Sequence, residues 1–290
     1  MNIKKHLFFA SLSIIIFFSS CELYNPTEKV PAYIHIDKIN LTTKSIEGSS
    51  SNKITDAWVY IDDQLIGCFE LPSTFPVLIE GQHQLKIYAG IKVNGISESR
   101  SPYPFYDFYS QTINLQKATT LNITPNVKYA SNVHFDFMED FEGAGVIIAK
   151  DSASGTDTSL IQLFAPNINV FEGNSSGAAY LNNHQYLYEG VSNTSYILPK
   201  GVSPIFLELN YKCNHEFIVG VYSHQGSSTS KNKALTLRAS AAWNKTYVYL
   251  TPLISGSGNA TDFNIFFGMV NYSGSDSLAL LLDNIKLVHY

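Results

Sequence analysis

The chain has 290 residues, 19 Lys and Arg against 24 Asp and Glu, and a formal net charge of −5. That mild acidity argues against a nucleic-acid binder, which presents a basic stripe to phosphates. Aromatic residues reach 13% and charged residues only 15%, a balance that favours sheet over helix in a chain rich in turn-forming residues.

The N-terminus reads as an export signal. Lys4 and Lys5 precede an almost wholly apolar run from Leu7 to Phe18, and Ser19-Ser20-Cys21 follows. A basic start, a short apolar stretch and small residues before a cut site are the parts of a secretory leader. The run is too short to span a bilayer core of about 30 Å as a helix. Phe18-Ser19-Ser20-Cys21 resembles the lipobox of bacterial lipoproteins, in which the cysteine is lipidated and becomes the first mature residue. The resemblance implies residues 1–20 as signal peptide, Cys21 as the acylated anchor, and a place in the cell envelope at the outer membrane, on its periplasmic face or at the cell surface. No polybasic cluster accompanies it, so the lipid alone is expected to hold the membrane. Residues 21–31, with Pro26 and Pro31, read as a tether.

From Ala32 onward short alternating segments are broken by turns. Tyr33 to Ile39 gives one strand, and the Glu47-Gly48-Ser49-Ser50-Ser51-Asn52 cluster breaks it. Ala57 to Ile61, a turn at Asp62-Asp63, Leu65 to Phe69, Val77 to Ile79, a turn at Gly81 and Leu85 to Ala89 follow. No segment sustains helical spacing over three turns. The run from Val59 to Gly67, then Phe75-Pro76 and Glu80 to Ile87, resembles PEGA-type and carboxypeptidase-regulatory-type modules. That resemblance implies an Ig-like, Greek-key β-sandwich over residues 32–130. Pro102 and Pro104 keep the aromatic stretch Tyr103 to Tyr109 out of a central strand. It is either a contact surface, through Tyr103 and Tyr106, or a cover for the bottom of this domain.

A second domain is expected over residues 133–290. Five landmarks carry a resemblance: Glu139-Asp140-Phe141-Glu142-Gly143, Glu172-Gly173 with Ser176 to Leu181, Phe206 to Lys212 with Phe217 to Tyr222, Trp243 to Leu250, and Leu280 to Val288. In this order they resemble the jelly-roll domains of carbohydrate-binding modules and galactose-binding-like folds. Phe206 to Lys212 and Phe217 to Tyr222 read as a hairpin through Asn214-His215. The expected fold class is therefore all-β, with two β-sandwich domains. The Ser-, Thr-, Asn- and Tyr-rich style resembles surface lipoproteins of the Bacteroidetes group.

Few residues suggest chemistry. Gly173-Asn174-Ser175-Ser176-Gly177 matches the pattern of a nucleophile elbow, but that motif needs a strand-to-helix turn and its flanks here are β-like. Eight histidines are scattered without metal-ligand spacing, and no two acids stand out as a glycosidase pair. No enzyme is expected. The jelly-roll resemblance implies a structural calcium shared by Glu142 and Asp283, for which hard oxygen ligands are suited; otherwise the two acids are a turn cap and an exposed side chain. Trp243, Tyr247 and Tyr249 share one strand face, which could stack on sugar C–H groups or pack into the core. Cys68 and Cys213 are either two buried free thiols or a bridge. The expected function is a lipid-anchored, non-catalytic envelope protein whose jelly roll contacts glycan or another extracellular ligand. The alternative is a structural or assembly subunit of an outer-membrane export or uptake complex, with a protein partner in the envelope.

Overall fold

The structure is a computed structural model that describes residues 28–290, so the leader and Cys21 lie outside the described residues. The N-terminal part is a β-sandwich. Its largest sheet combines β3 (Asp56–Ile61), β4 (Gln64–Glu70), β6 (Gly81–Lys92), β7 (Arg100–Pro102) and β8 (Tyr109–Leu115). Opposite lie β5 (Ser73–Val77), β1 (Ala32–Ile36) and β9 (Thr120–Ile123), in that order, with β2 (Asn40–Thr42) paired to β10 (Asn126–Lys128). Period-2 alternation fills the space between them: Ile34, Ile36, Val59, Ile61, Leu85 and Ile87 are all buried. The β3–β4 turn falls at Asp62-Asp63, both with positive φ (49° and 63°), as a tight two-residue hairpin requires. The Asp62 carboxylate steadies it by accepting the Gln84 N–H at 2.9 Å.

The C-terminal part is a larger sandwich. Its six-stranded sheet contains β13 (Ile161–Phe164), β14 (Ser175–Leu181), β21 (Leu278–His289), β16 (Ile205–Cys213) and β19 (Ser240–Tyr249), with β11 (His134–Glu139) also paired to β21. The five-stranded sheet runs β12 (Ile148–Lys150), β15 (Leu187–Ser192), β20 (Asp262–Val270), β17 (Phe217–Gln225) and β18 (Ser228–Leu237). The core between them is built from inward residues of both, among them Leu207, Leu209, Val219, Val221, Phe263, Ile265, Phe267, Leu280 and Leu282. One short helix, α1 (Thr251–Gly256), follows β19. Among the described residues no helix is long and apolar enough to cross a membrane.

Two expectations need correction. β16 and β17 do not form a hairpin, because they belong to different sheets. The chain turns a corner at Asn214, whose side chain donates to the Ser277 carbonyl and accepts the Ala279 N–H, both at 2.8 Å. β16 lies between β21 and β19, and β17 between β20 and β18, so each has two neighbours of its own and neither needs the other. Nor are both thiols buried: Cys213 is, but Cys68 lies exposed on β4, and neither is bridged.

The two sandwiches meet over a shared apolar cluster. Phe206, Tyr247 and Val288, on the outer face of the six-stranded sheet, pack among Tyr103, Phe105, Tyr106 and Tyr129 of the N-terminal sandwich. The Tyr103 ring lies 4.9 Å from that of Tyr247 and 5.4 Å from that of Phe206. Backbone joins across the seam too, since Asn94 N–H donates to the Tyr247 carbonyl at 2.9 Å and the Asn94 side chain accepts the Tyr249 N–H at 2.8 Å. One outer face of the C-terminal sandwich is thus closed by the N-terminal one.

Candidate functional site

The outer face of the five-stranded sheet is the open one, and a cleft of about 870 Å³ lies on it. Strand alternation decides its lining. β17 sends Val219 and Val221 inward and Ile218, Tyr222 and His224 outward; β20 buries Ile265 and Phe267 in the core and turns Asn264, Phe266 and Val270 to the cleft. β15 adds Leu187, Glu189 and Val191. Phe266 is nevertheless buried. Its ring lies 5.2 Å from that of Tyr222, and the Lys231 ammonium sits 4.8 Å above it. Cation and ring face attract at that range.

The cleft has an apolar middle and ordered polar groups at its margins. On one side the Tyr222 hydroxyl stands between Asp151, at 2.7 Å, and Glu189, and Lys231 pairs with the other Glu189 oxygen. Burial, reinforced by the two carboxylates, pushes the Tyr222 phenol far above its ordinary pKa. Burial would raise the Asp151 carboxyl, but the Tyr222 hydroxyl and the Ala153 N–H outweigh it and hold Asp151 below the usual range. On the other side His224 Nε2 donates to Asn264 Oδ1 at 2.6 Å, and its Nδ1 accepts from the Thr229 hydroxyl at 3.0 Å. The Asn264 amide in turn donates to the carbonyls of Ser192 at 2.8 Å and Thr194 at 2.7 Å. These side chains are held before any ligand arrives, which reduces the ordering a ligand would have to impose.

The residues singled out from the sequence lie elsewhere. Tyr103, Tyr106 and Tyr247 are buried where the sandwiches meet, so their rings have no face left for a ligand. Tyr249 is half-buried against Phe206, with centroids 5.0 Å apart, and Trp243 is half-buried against Phe171 at 5.1 Å. All five belong to the seam or the closed side, because the face that Trp243, Tyr247 and Tyr249 share is the one the N-terminal sandwich covers. Glu142 accepts the N–H groups of Asn174 and Ser175 at 2.7 and 2.9 Å, which outweigh its burial and hold its pKa low. Asp283 is buried on other donors, the Ser176 hydroxyl and the Asn284 N–H, and burial pushes its carboxyl up to about 7. The two acids share no partner, and among the described residues no three His, Cys, Asp or Glu side chains converge for a metal ion. The carbonyls of Phe141 and Gly143 meet instead at the Gln162 amide nitrogen, at 2.7 and 2.8 Å. The expected calcium pair is therefore not assembled. Ser175 is buried in β14 with its hydroxyl on the Phe141 carbonyl, so the Gly173 to Gly177 pattern is a strand entry and not a nucleophile elbow.

Sequence reasoning missed Tyr222, Phe266, His224 and Asn264. Alternation in Phe217 to His224 and Phe263 to Val270 separates the two faces of each strand, but both faces carry apolar residues. Only the pairing of sheets shows which one is open.

No protein-family model matches the sequence, and no curated protein matches it. Among solved structures, the chain is similar to the xylan-binding domain of Paenibacillus barcinonensis Xyn10C, at 11% identity over 53% of this chain and 99% of that one, with a TM-score of 0.39. It is also similar to the family 11 carbohydrate-binding module of the Clostridium thermocellum cellulosomal cellulase Lic26A-Cel5E, at 15% identity over 55% and 97%, TM-score 0.38. A structure of carbohydrate-binding modules from the β-sandwich superfamily matches 80% of this chain and 84% of its own, at 11% identity and a TM-score of 0.36. At such identities no residue role transfers from one chain to another.

Proposed function

We propose that the C-terminal sandwich binds a carbohydrate chain in the cleft of its five-stranded sheet, without catalysis, and that the lipid on Cys21 holds the protein at the cell envelope. The observation that carries the reading is the pattern of the cleft lining. Leu187, Val191, Ile218, Phe266 and Val270 make a low, apolar floor, while Tyr222, His224, Asn264 and Lys231 supply polar groups at its margins. A sugar ring has the complementary surface, an apolar face of C–H groups and a rim of hydroxyls. The cleft's open shape suits a chain that passes through it more than a small molecule enclosed on all sides.

The test is a glycan array probed with the mature chain carrying Cys21→Ser, followed by calorimetry on any hit. Tyr222→Ala and Asn264→Ala are expected to weaken binding about tenfold or more, as loss of a central contact does. Trp243→Ala, on the closed side, is expected to leave it unchanged. Absence of binding to every glycan by a folded protein would end the carbohydrate reading. The anchor is tested separately, by labelling cells with an alkynyl fatty acid: incorporation is expected in the native chain and not in Cys21→Ser.

A further inference from the structure

A second cavity, of about 350 Å³, opens at the seam between the sandwiches, far in character from the cleft. Its walls are the β6–β7 turn at Asn94-Gly95, the end of β18 and the second half of β19, with Lys53 and Thr55 from the chain entering β3. Four cationic side chains line it, Lys53, Lys92, Lys245 and Arg238, and no lining residue is acidic. In a chain of net charge −5 that is a local reversal of sign.

The partners of these cations leave positive charge unmatched. Lys92 is paired at 2.9 Å with Glu70, a carboxylate that also takes Arg100 at 2.8 Å. The Lys53 ammonium has only the neutral Asn244 carbonyl oxygen, at 2.5 Å, and Arg238 has no ion-pair partner among the described residues. Lys245 has a side chain only 3% exposed. Its charge is already matched by Glu208 at 3.1 Å, whereas the neighbouring Thr246 hydroxyl is buried without a partner. A buried donor left unused is costly, so the unpartnered Thr246 hydroxyl on the cavity lining points to an acceptor that belongs there. Burial, followed by repulsion from Lys92, lowers the Lys53 pKa, as expected where like charges gather without a counter-ion.

We propose that this cavity binds a tetrahedral oxyanion, a sulfate or phosphate group, between the two sandwiches. Several acceptor oxygens on a compact multiple charge match the Lys53 and Arg238 cations and the unpartnered Thr246 hydroxyl that line this cavity, which a single halide could not satisfy. The volume lies at the lower end of small-molecule sites, so the group could arrive as the free ion or as an ester on a sugar.

Calorimetry on the mature chain with Cys21→Ser would use sodium phosphate and sodium sulfate, with sodium chloride holding ionic strength constant. A sugar phosphate and a sugar sulfate form the second arm. Saturable binding is expected for at least one of the four probes, weakened tenfold or more by Arg238→Ala and by Lys53→Ala. Both residues are exposed, so the variants are expected to fold. Lys233→Ala, an exposed cation on the cleft side, should leave it unchanged. Binding by the esters alone would identify the source as a modified glycan, and binding by the free ions an inorganic one. No saturable binding by any probe, or equal weakening by Lys233→Ala, would overturn the proposal.

Discussion

The Lys245 ammonium lies 3.1 Å from the Glu208 carboxylate, both fully enclosed where the two sandwiches meet. The other Glu208 oxygen accepts the hydroxyls of Tyr103, at 2.8 Å, and Tyr129, at 2.7 Å, both from the N-terminal sandwich. Glu208 itself belongs to β16 of the C-terminal one. A buried charge thus draws its hydrogen bonds from the opposite domain, which makes the two sandwiches one packed body. Burial would raise the Glu208 carboxyl, but Lys245, Lys286 and the two hydroxyls outweigh it and hold it below its ordinary value.

Glu208→Gln is expected to destabilise by about 3–5 kcal/mol, the usual loss when one member of a buried pair is removed. The change leaves Lys245 and Lys286 buried with no carboxylate between them. Lys245→Met should cost less, because Lys286 still balances Glu208. Chemical denaturation followed by fluorescence would measure both. A Glu208→Gln midpoint equal to that of the parent would show that the pair contributes nothing to folding.

Asp283 gives the opposite pH response. Its folded pKa, raised to about 7 by burial, means that its stabilising contribution is complete below the unfolded value near 4. It is lost as pH rises through 7. Glu208, whose pKa is depressed, contributes above the unfolded carboxylate value and is lost as pH falls below it. Asp283→Asn is expected to abolish a decline in stability between pH 4 and 7, and to gain roughly 4 kcal/mol above pH 7. The Ser176 hydroxyl can reverse to accept from the new amide. Parallel stability–pH curves for the two proteins would contradict this.

Much of the fold was legible because alternation and turn chemistry are local. The strand at Ala57 to Ile61, the Asp62-Asp63 turn and the closing strand through Leu282 all followed from neighbouring residues. The cleft was not legible, for the reason Phe266 illustrates: an apolar outward residue beside Ile265 and Phe267 reads as core. Tyr247 illustrates the converse. Its period-2 partnership with Trp243 and Tyr249 was plain, yet what covers that face is a domain more than a hundred residues earlier in the chain. The Asn94-Gly95 pair, with φ of 57° and 71°, was an available turn signal. It brings the β6–β7 connection onto the edge of β19 and so helps close that face.

Thiol reactivity should separate the two cysteines. In the chain carrying Cys21→Ser, an aromatic disulfide reagent is expected to titrate one thiol in the native state and two after denaturation. Cys68 is exposed, but partial burial followed by the nearby Asp56 charge raises its pKa, so its reaction at neutral pH should be slow for an exposed thiol. Cys213, buried with its thiol directed at the Arg238 carbonyl at 3.6 Å, should wait for unfolding. Two native-state thiols would mean that the corner after β16 opens readily.

Two glycines on the cleft face should respond differently to the same added methyl group. At Gly220 a Cβ would stand 2.4 Å from the Asn232 carbonyl and 2.4 Å from the Phe266 ring. The ring can move, but the carbonyl is fixed in the β17–β18 ladder at a register shift between Val219 and Gly220. Gly220→Ala should therefore cost about 1–3 kcal/mol through overpacking and lift Phe266 into the cleft. At Gly268 the nearest atoms to a Cβ are the Tyr188 carbonyl at 3.8 Å and Glu189 Oε2 at 3.9 Å, ordinary contact distances. Gly268→Ala should leave the melting temperature nearly unchanged while raising the cleft floor by one methyl group. If a glycan lies across that floor, the variant loses affinity at full stability, and calorimetry on the folded protein reads the difference. Unchanged affinity in Gly268→Ala would move the ligand's path away from the middle of β20.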